Sequence, residues 1–279
     1  MKKGTISKLL AVGVFAVAAS GAQAQAIDTW VYTLELSWIT SSTEFNAGRN
    51  VSGYTGSEVN SDILLSWGAA GANYKNVNAN DGFNRSALEI TNQTSKGIVG
   101  VDGTPVFANL FTHYNAPIWD VYPSLEKAEL SVSIQLALPG SGAVYTLPPT
   151  SFDVYFKETP NTGLQCGWGL CDDDIFAIVA TDTSLKDFSR SFVHDGYEYT
   201  FNYFEASNHL NDLSATVCGE VGIASGIACY GFTTPENAAT AVSFSFSMTA
   251  TPVPEPETYA MLLAGLGLVG MVSRRRRNK

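Results

Sequence analysis

Long apolar runs, charge and cysteine are all scarce in this 279-residue chain, and each scarcity excludes a class of protein. The two longest apolar runs, Leu9–Ala19 and Tyr259–Val272, hold 11 and 14 residues, whereas a helix needs about 20 to cross a hydrocarbon core. Charged residues make up 15% of the chain and give a net charge of −10, a balance that repels phosphate backbones and argues against nucleic acid as a partner. The 25 glycines follow no period, which excludes collagen. Motifs of catalysis are missing as well. There is no Gly-x-Ser-x-Gly elbow, His-Glu-x-x-His, glycine-rich phosphate loop or Cys-x-x-Cys. A glycosidase needs only two carboxylates placed by the fold, and 26 acidic residues neither support nor exclude that. Aromatics, by contrast, are plentiful. The 15 Phe, 12 Tyr and 5 Trp are incompatible with a disordered polymer and sufficient for a large core.

The basic charge sits at the ends. Lys2, Lys3 and Lys8 precede the run Leu9–Ala19, which is followed by Ser20-Gly21-Ala22-Gln23-Ala24. A positive segment, a short apolar segment and an Ala-x-Ala site define a secretory signal peptide over residues 1–24. Ala22 and Ala24 are the recognition residues, and Ala24-Gln25-Ala26 offers a second register. The Sec translocon and signal peptidase are the partners this implies. Between the termini, residues 27–253 keep 8 basic and 24 acidic residues, a balance of 8 − 24 = −16.

The other end opens with Pro252-Val-Pro-Glu-Pro-Glu-Thr, continues as the apolar run Tyr259–Val272 and closes on Arg274, Arg275, Arg276, Arg277 and Lys279. A helix of 14 residues reaches about 21 Å, so this segment is expected to act as a short, marginal transmembrane helix with its arginines held at the cytoplasmic face. Pro254 and Pro256 fix φ and remove backbone donors, which presents Glu255 in an extended segment. The order Pro254-Glu255-Pro256, short apolar helix, arginine cluster resembles the PEP-CTERM sorting signal of Gram-negative, biofilm-forming bacteria, a tail also known from the C-terminal region of some ice-binding proteins. The resemblance covers residues 252–279 and implies cleavage by an exosortase, a transient inner-membrane association, and delivery to the cell surface or medium.

Period-two alternation marks the middle of the chain, residues 25–251. Tyr32, Leu34, Leu36 and Trp38 alternate with polar residues, as do Ala128, Leu130, Val132, Ile134 and Leu136. Phe152, Val154 and Phe156, then Tyr197, Tyr199, Phe201 and Tyr203, then Val242, Phe244, Phe246 and Met248 repeat the pattern. Each row places one face on a core and the other in water. Asn80-Asp81-Gly82, Pro139-Gly140-Ser141-Gly142 and Pro148-Pro149 read as turns between them. No 3.6-residue stripe interrupts the series. The pattern predicts an all-β fold, an antiparallel β-sandwich of jelly-roll type, lying between two cleavable terminal segments.

Four cysteines in an exported chain read as two disulfides with three possible connectivities. Short separations favour Cys166–Cys171 and Cys218–Cys229. A four-thiolate zinc site is the alternative, and the ten residues inside the second pair miss its usual spacing. Asp172-Asp173-Asp174 follows Cys171. Ca²⁺ takes such oxygens, but alternation splits the three between two faces, so a solvated strand entrance is expected and no metal is assigned. Asn76–Gly82 carries alternating oxygen ligands out of EF-hand register and reads as a hairpin turn.

Thr112-His113-Tyr114-Asn115 resembles the Thr-His-x-Asn signature of the THxN family of PEP-CTERM proteins, with Thr112, His113 and Asn115 as the matching positions. The family carries no established activity. Two readings of the motif stay open. In one, Asn115 closes an Asx turn, Pro117 fixes the exit, and His113 and Thr112 satisfy loop amides and carbonyls. In the other, His113 is a metal ligand or donor joined in space by an aspartate from elsewhere. The structural reading is preferred, because no carboxylate or second histidine stands at ligand spacing, and His194 and His209 have no partner in sequence. No catalytic residue is assigned. The expected function is that of a non-enzymatic extracellular surface or biofilm-matrix protein. A carbohydrate-binding module for exopolysaccharide, using Tyr54, Tyr74 and Trp168, is the alternative, and a secreted hydrolase is the third.

Overall fold

The computed structural model of the protein describes residues 25–78, 83–159, 165–166, 169–170, 173–179, 187–253 and 256–277. Ala22, Ala24, Asn80-Asp81-Gly82, Trp168, Cys171, Asp172, Pro254 and Glu255 lie outside the described residues.

The clearest alternation makes the best-defined strand. Thr29–Trp38 buries Trp30, Tyr32, Leu34, Leu36 and Trp38 and turns the intervening residues outward. Its aromatic and branched side chains suit a pleated, half-buried surface. It pairs antiparallel with Ser124–Ala137 on one side, Leu34 opposite Ile134 and Leu36 opposite Val132, and with Thr94–Gly100 on the other. That sheet continues from Ser124–Ala137 through Val144–Lys157, Asp174–Val179 and Cys229–Thr234 to Asn211–Asp212, and Glu44–Asn46 also pairs with Ser124–Ala137. The second sheet runs Asp187–His194, Tyr197–Glu205, Ala238–Pro252, Val106–Asn115, Arg85–Ile90, Leu64–Ala69, Gly56–Asn60. A separate two-stranded pair joins Gln165–Cys166 to Gly169–Leu170.

One hydrophobic core lies between the two large sheets, making the fold an antiparallel β-sandwich. Rings bridge the layers. Trp30 of the first sheet meets Tyr199 of the second edge-on at 5.1 Å, and Tyr32 meets Phe246 at 4.7 Å. At the far end Trp67 of the second sheet meets Phe156 of the first at 4.8 Å. Such edge-on pairs add about 0.5–1.5 kcal/mol each beyond the area they bury.

Two expectations for the body of the chain need correction. Pro148 and Pro149 do not form a turn. They lie within the strand Val144–Lys157, where the pairing slips between Val132 and Ile134, because an irregularity in the ladder is where a residue lacking an N–H is tolerated. The body also contains a helix, Ala215–Glu220, capped by the Ser214 hydroxyl accepting from the Val217 amide. Six residues are too few to reveal a 3.6-residue stripe in sequence. The helix covers the outer face of Asp174–Val179, and Val217, Cys218, Val221 and Ile223 pack there on Ile175, Ala177 and Val179 as a second, smaller core. A disulfide from Cys218 to Cys229 ties it to the adjacent strand.

The tail forms the helix Pro256–Arg277. Among the described residues no helix is long and apolar enough to cross a membrane, which corrects the expectation of a transmembrane helix. Three glycines dilute the 14-residue apolar run, and Glu257 and four arginines occupy the remaining turns.

Gly231 marks the tightest approach in the first sheet. A Cβ there would overlap the Phe176 carbonyl oxygen and crowd the Ala177 backbone. Replacing Gly231 with Ala should destabilise the sandwich by about 1–3 kcal/mol, the usual cost of overpacking, measured as a lower thermal midpoint of the full chain.

Candidate functional site

At one end of the sandwich the inward-facing rows run out into polar residues. The row Phe152, Val154, Phe156 reaches Glu158, and the row Ile178, Phe176 reaches Asp174. Phe232 leads to Thr234, Phe111 to His113 and Asn115, and Val242 to Thr240. Register aligns these ends. Asp174 pairs with Thr234, Ile175 with Lys157, and Thr240 with His113. His113, Asn115, Asp174 and Thr234 are wholly buried.

Hydrogen bonds fix the histidine tautomer. The Thr234 hydroxyl donates to Thr240 Oγ1 at 3.0 Å, so towards His113 Nδ1, at 2.9 Å, it can only accept. The proton therefore resides on Nδ1, and Nε2 carries a lone pair. That nitrogen faces Asp174 Oδ2 at 3.8 Å, beyond hydrogen-bond reach. The ring lies nearly parallel to Trp67, centroids 6.4 Å apart, and edge-on to Phe156 at 5.0 Å. Burial in this aromatic surround lowers the His113 pKa to about 3, so the ring is neutral.

Each carboxylate is held by one oxygen. Asp174 Oδ1 accepts from the Thr159 backbone N–H at 2.9 Å and from its hydroxyl at 3.4 Å. Glu158 Oε2 accepts from Trp67 Nε1 at 2.7 Å. Among the described residues, Asp174 Oδ2, Glu158 Oε1 and His113 Nε2 have no hydrogen-bond partner. Glu236, in the turn after Cys229–Thr234, completes the group, and one oxygen from each of Glu158, Asp174 and Glu236 lies within 4.8 Å of the others. Burial raises the Glu158 pKa to about 8, aided by repulsion from Glu236. Burial, then repulsion from Glu158, raises Asp174 well above the usual carboxylate range. No lysine or arginine among the described residues pairs with Glu158 or Asp174. Carboxylates so confined must hold protons or a cation.

These positions revise the sequence reading. Thr112, His113 and Asn115 belong to the strand Val106–Asn115 and not to a loop. Asn115 closes no turn on itself; its Nδ2 donates to the Thr234 carbonyl at 2.8 Å. Thr112 points to the opposite face and is also buried. Asp174 is no solvated entrance: it opens the strand Asp174–Val179 with no exposure at all and is the carboxylate that meets His113. His194 bonds Tyr145 Oη at 2.8 Å, and His209 Nδ1 lies 2.7 Å from the Ala241 carbonyl. Glu158 opens Glu158-Thr-Pro-Asn161 and Glu236 lies in Thr233-Thr-Pro-Glu-Asn237, segments that resemble the same THxN group but carry no metal-binding or catalytic motif. The signal that finds Glu158 is continuation of the Phe152-Val154-Phe156 row by one more step.

On the outer side of Glu158 and Thr159 lies a cavity of about 440 Å³, walled also by Trp119, Tyr122, Asn46 and Asp120. Tyr54 and Phe83 extend its aromatic wall. Tyr54 stacks on Phe83 at 5.8 Å, and Trp119 meets them at 5.4 and 5.0 Å. All three are substantially exposed. Tyr74 is half-buried and bonded to Glu89 at 3.0 Å, which withdraws it from sugar stacking.

Residues 252–277 match the PEP-CTERM protein-sorting motif. The motif implies export and exosortase processing to the cell surface; the match does not extend to Thr112, His113 and Asn115. No curated protein and no solved structure matches the chain.

The buried acids set a pH dependence. Glu158 titrates near 8 folded and near 4.5 unfolded, so its stabilising contribution is complete below about 4.5 and is lost as pH rises to about 8. Asp174 acts in the same sense. His113 acts oppositely, its contribution being complete above about 6.5 and lost as pH falls to about 3. Between pH 6.5 and 8 only the acids count. In chelator the thermal midpoint should fall across that window, with a slope of up to about 1.4 kcal/mol per pH unit for each retained proton. Glu158→Gln should flatten it.

Proposed function

We propose that this chain is a non-enzymatic surface or biofilm-matrix protein that binds exopolysaccharide at the cavity beside Trp119. On this reading the Sec translocon and signal peptidase export it, the short C-terminal helix holds it briefly at the inner membrane, and exosortase then releases it outside.

The observation that supports the binding role is the exposed aromatic wall of Tyr54, Phe83 and Trp119 next to a cavity bordered by Asn46, Asp120 and Ser124. Flat rings stack on the C–H faces of sugar rings, while short polar side chains exchange hydrogen bonds with hydroxyls. A body balance of −16 favours neutral or basic glycans over acidic ones. Glu158 borders the same cavity, but its carboxylate is turned inward: Oε2 is bonded to Trp67, and Oε1 is shielded from solvent. That orientation favours binding over hydrolysis.

Two experiments address this reading. Converting Pro254, Glu255 and Pro256 to Ala should leave an unprocessed, cell-retained form, visible as a larger band in the membrane fraction. Unchanged size and location would contradict exosortase handling. Trp119→Ala should weaken retention on exopolysaccharide from the producing strain by about tenfold, the loss of roughly 1.4 kcal/mol of stacking. Release of reducing ends from the same polymer would favour the hydrolase.

A further inference from the structure

We infer that Glu158, Asp174, Glu236 and His113 together bind one divalent d-block metal ion, for which Zn²⁺ is the natural probe. The inference concerns the buried end of the sandwich and does not depend on glycan binding at the neighbouring cavity.

A cluster of acids alone would not carry this. The additional observation is His113. Its ring is wholly buried, its Nδ1 proton is committed to Thr234, and its bare Nε2 is aimed at the bare Oδ2 of Asp174 across 3.8 Å. Unless a proton or a cation lies between them, two facing lone pairs repel. A cation between them converts that repulsion into two bonds. Ligands at about 2.1 Å from a tetrahedral ion stand about 3.4 Å apart, so an inward movement of a few tenths of an ångström closes the observed gap.

The supporting bonds have the arrangement a metal site requires. One atom of each of three ligands is anchored, His113 Nδ1 by Thr234, Asp174 Oδ1 by Thr159 and Glu158 Oε2 by Trp67. The second atom of each is left bare. Outer partners of this kind orient ligands and raise their basicity. Thr234 is itself held through Thr240, which fixes the only tautomer able to ligate through Nε2.

The donor set selects the class of ion. Ca²⁺ and Mg²⁺ favour all-oxygen shells, Ca²⁺ with six to eight ligands, whereas three carboxylates and one imidazole suit Zn²⁺ and its neighbours. A divalent ion also offsets the charges of the Glu158 and Asp174 carboxylates, for which no lysine or arginine among the described residues provides compensation.

The test uses untagged full-length protein, first analysed for metal by mass spectrometry as isolated, then stripped with chelator and titrated separately with Zn²⁺, Mn²⁺, Ca²⁺ and Mg²⁺. Expected are one equivalent of Zn²⁺ or Mn²⁺ per chain and a rise in thermal midpoint of about 5–10 °C at a hundredfold excess over Kd. Ca²⁺ and Mg²⁺ should do little. Asp174→Asn, which removes a buried charge at constant shape, should fold at least as well as the stripped parent and lose the Zn²⁺-induced rise. His113→Gln should lose it too, giving a second variant should the first fail to fold. No uptake, as expected for a cluster that only shares protons, would overturn the inference. So would a response to Ca²⁺ alone, or a Zn²⁺ rise that survives both substitutions. Retention on exopolysaccharide by the stripped protein reports separately on the glycan reading.

Discussion

Every inward position of this fold faces an opposing sheet roughly 10 Å away, and that spacing governs what each strand can carry. Along most of the sandwich the gap is filled by rings and branched chains, such as Trp30 against Tyr199 and Tyr32 against Phe246. At the end formed by Glu158, Asp174, Thr234, His113 and Thr240 the same gap is filled by polar groups. Side chains there cannot turn to solvent without reversing the alternation of a whole strand. They must therefore satisfy one another.

An inner strand of the first sheet, Asp174–Val179, shows how such a layer becomes fully enclosed. Phe176 and Ile178 face the large core, while Ile175, Ala177 and Val179 face the short helix Ala215–Glu220. Both faces of Asp174–Val179 are thus covered, and all six of its residues are buried. The disulfide from Cys218 to Cys229 keeps the covering helix against the strand that pairs with it. A surface acid would ionise freely. Asp174, enclosed on both sides, does so only with a counter-charge.

How much of this could be read from the sequence follows from what each feature depends on. The strands Thr29–Trp38, Ser124–Ala137 and Ala238–Pro252 were legible because alternation is local, and burial on one face leaves a trace in every second residue. The PEP-CTERM tail was legible because its three parts are contiguous. The polar layer was not, because its members are separated by up to 123 positions, from His113 to Glu236, and meet only through pairing of strands distant in sequence. Even so, the inner rows pointed towards it. Phe152-Val154-Phe156 continues to Glu158 and Phe111 to His113, so a row that changes from aromatic to polar while staying in phase signals a buried polar end. Asp174 was misjudged because its two acidic neighbours suggested solvent, whereas its phase with Phe176 and Ile178 indicated the interior.

A buried polar layer is an expensive way to build a sandwich. Replacing buried charged networks by well-packed apolar side chains is often neutral or stabilising, whereas leaving one member unpaired is strongly destabilising. The large aromatic core supplies the stability that lets this end of the fold carry such groups. Stability alone does not account for placing Glu158, Asp174 and His113 there, nor for anchoring one atom of each and leaving the other bare. Asn115 beside them donates Nδ2 to the Thr234 carbonyl and leaves its own Oδ1 without a partner, so a bare buried atom does not by itself mark a binding site. What sets this end apart is proximity: His113 Nε2 faces Asp174 Oδ2 across 3.8 Å, and one oxygen each of Glu158, Asp174 and Glu236 lies within 4.8 Å of the others, a spacing suited to a shared cation.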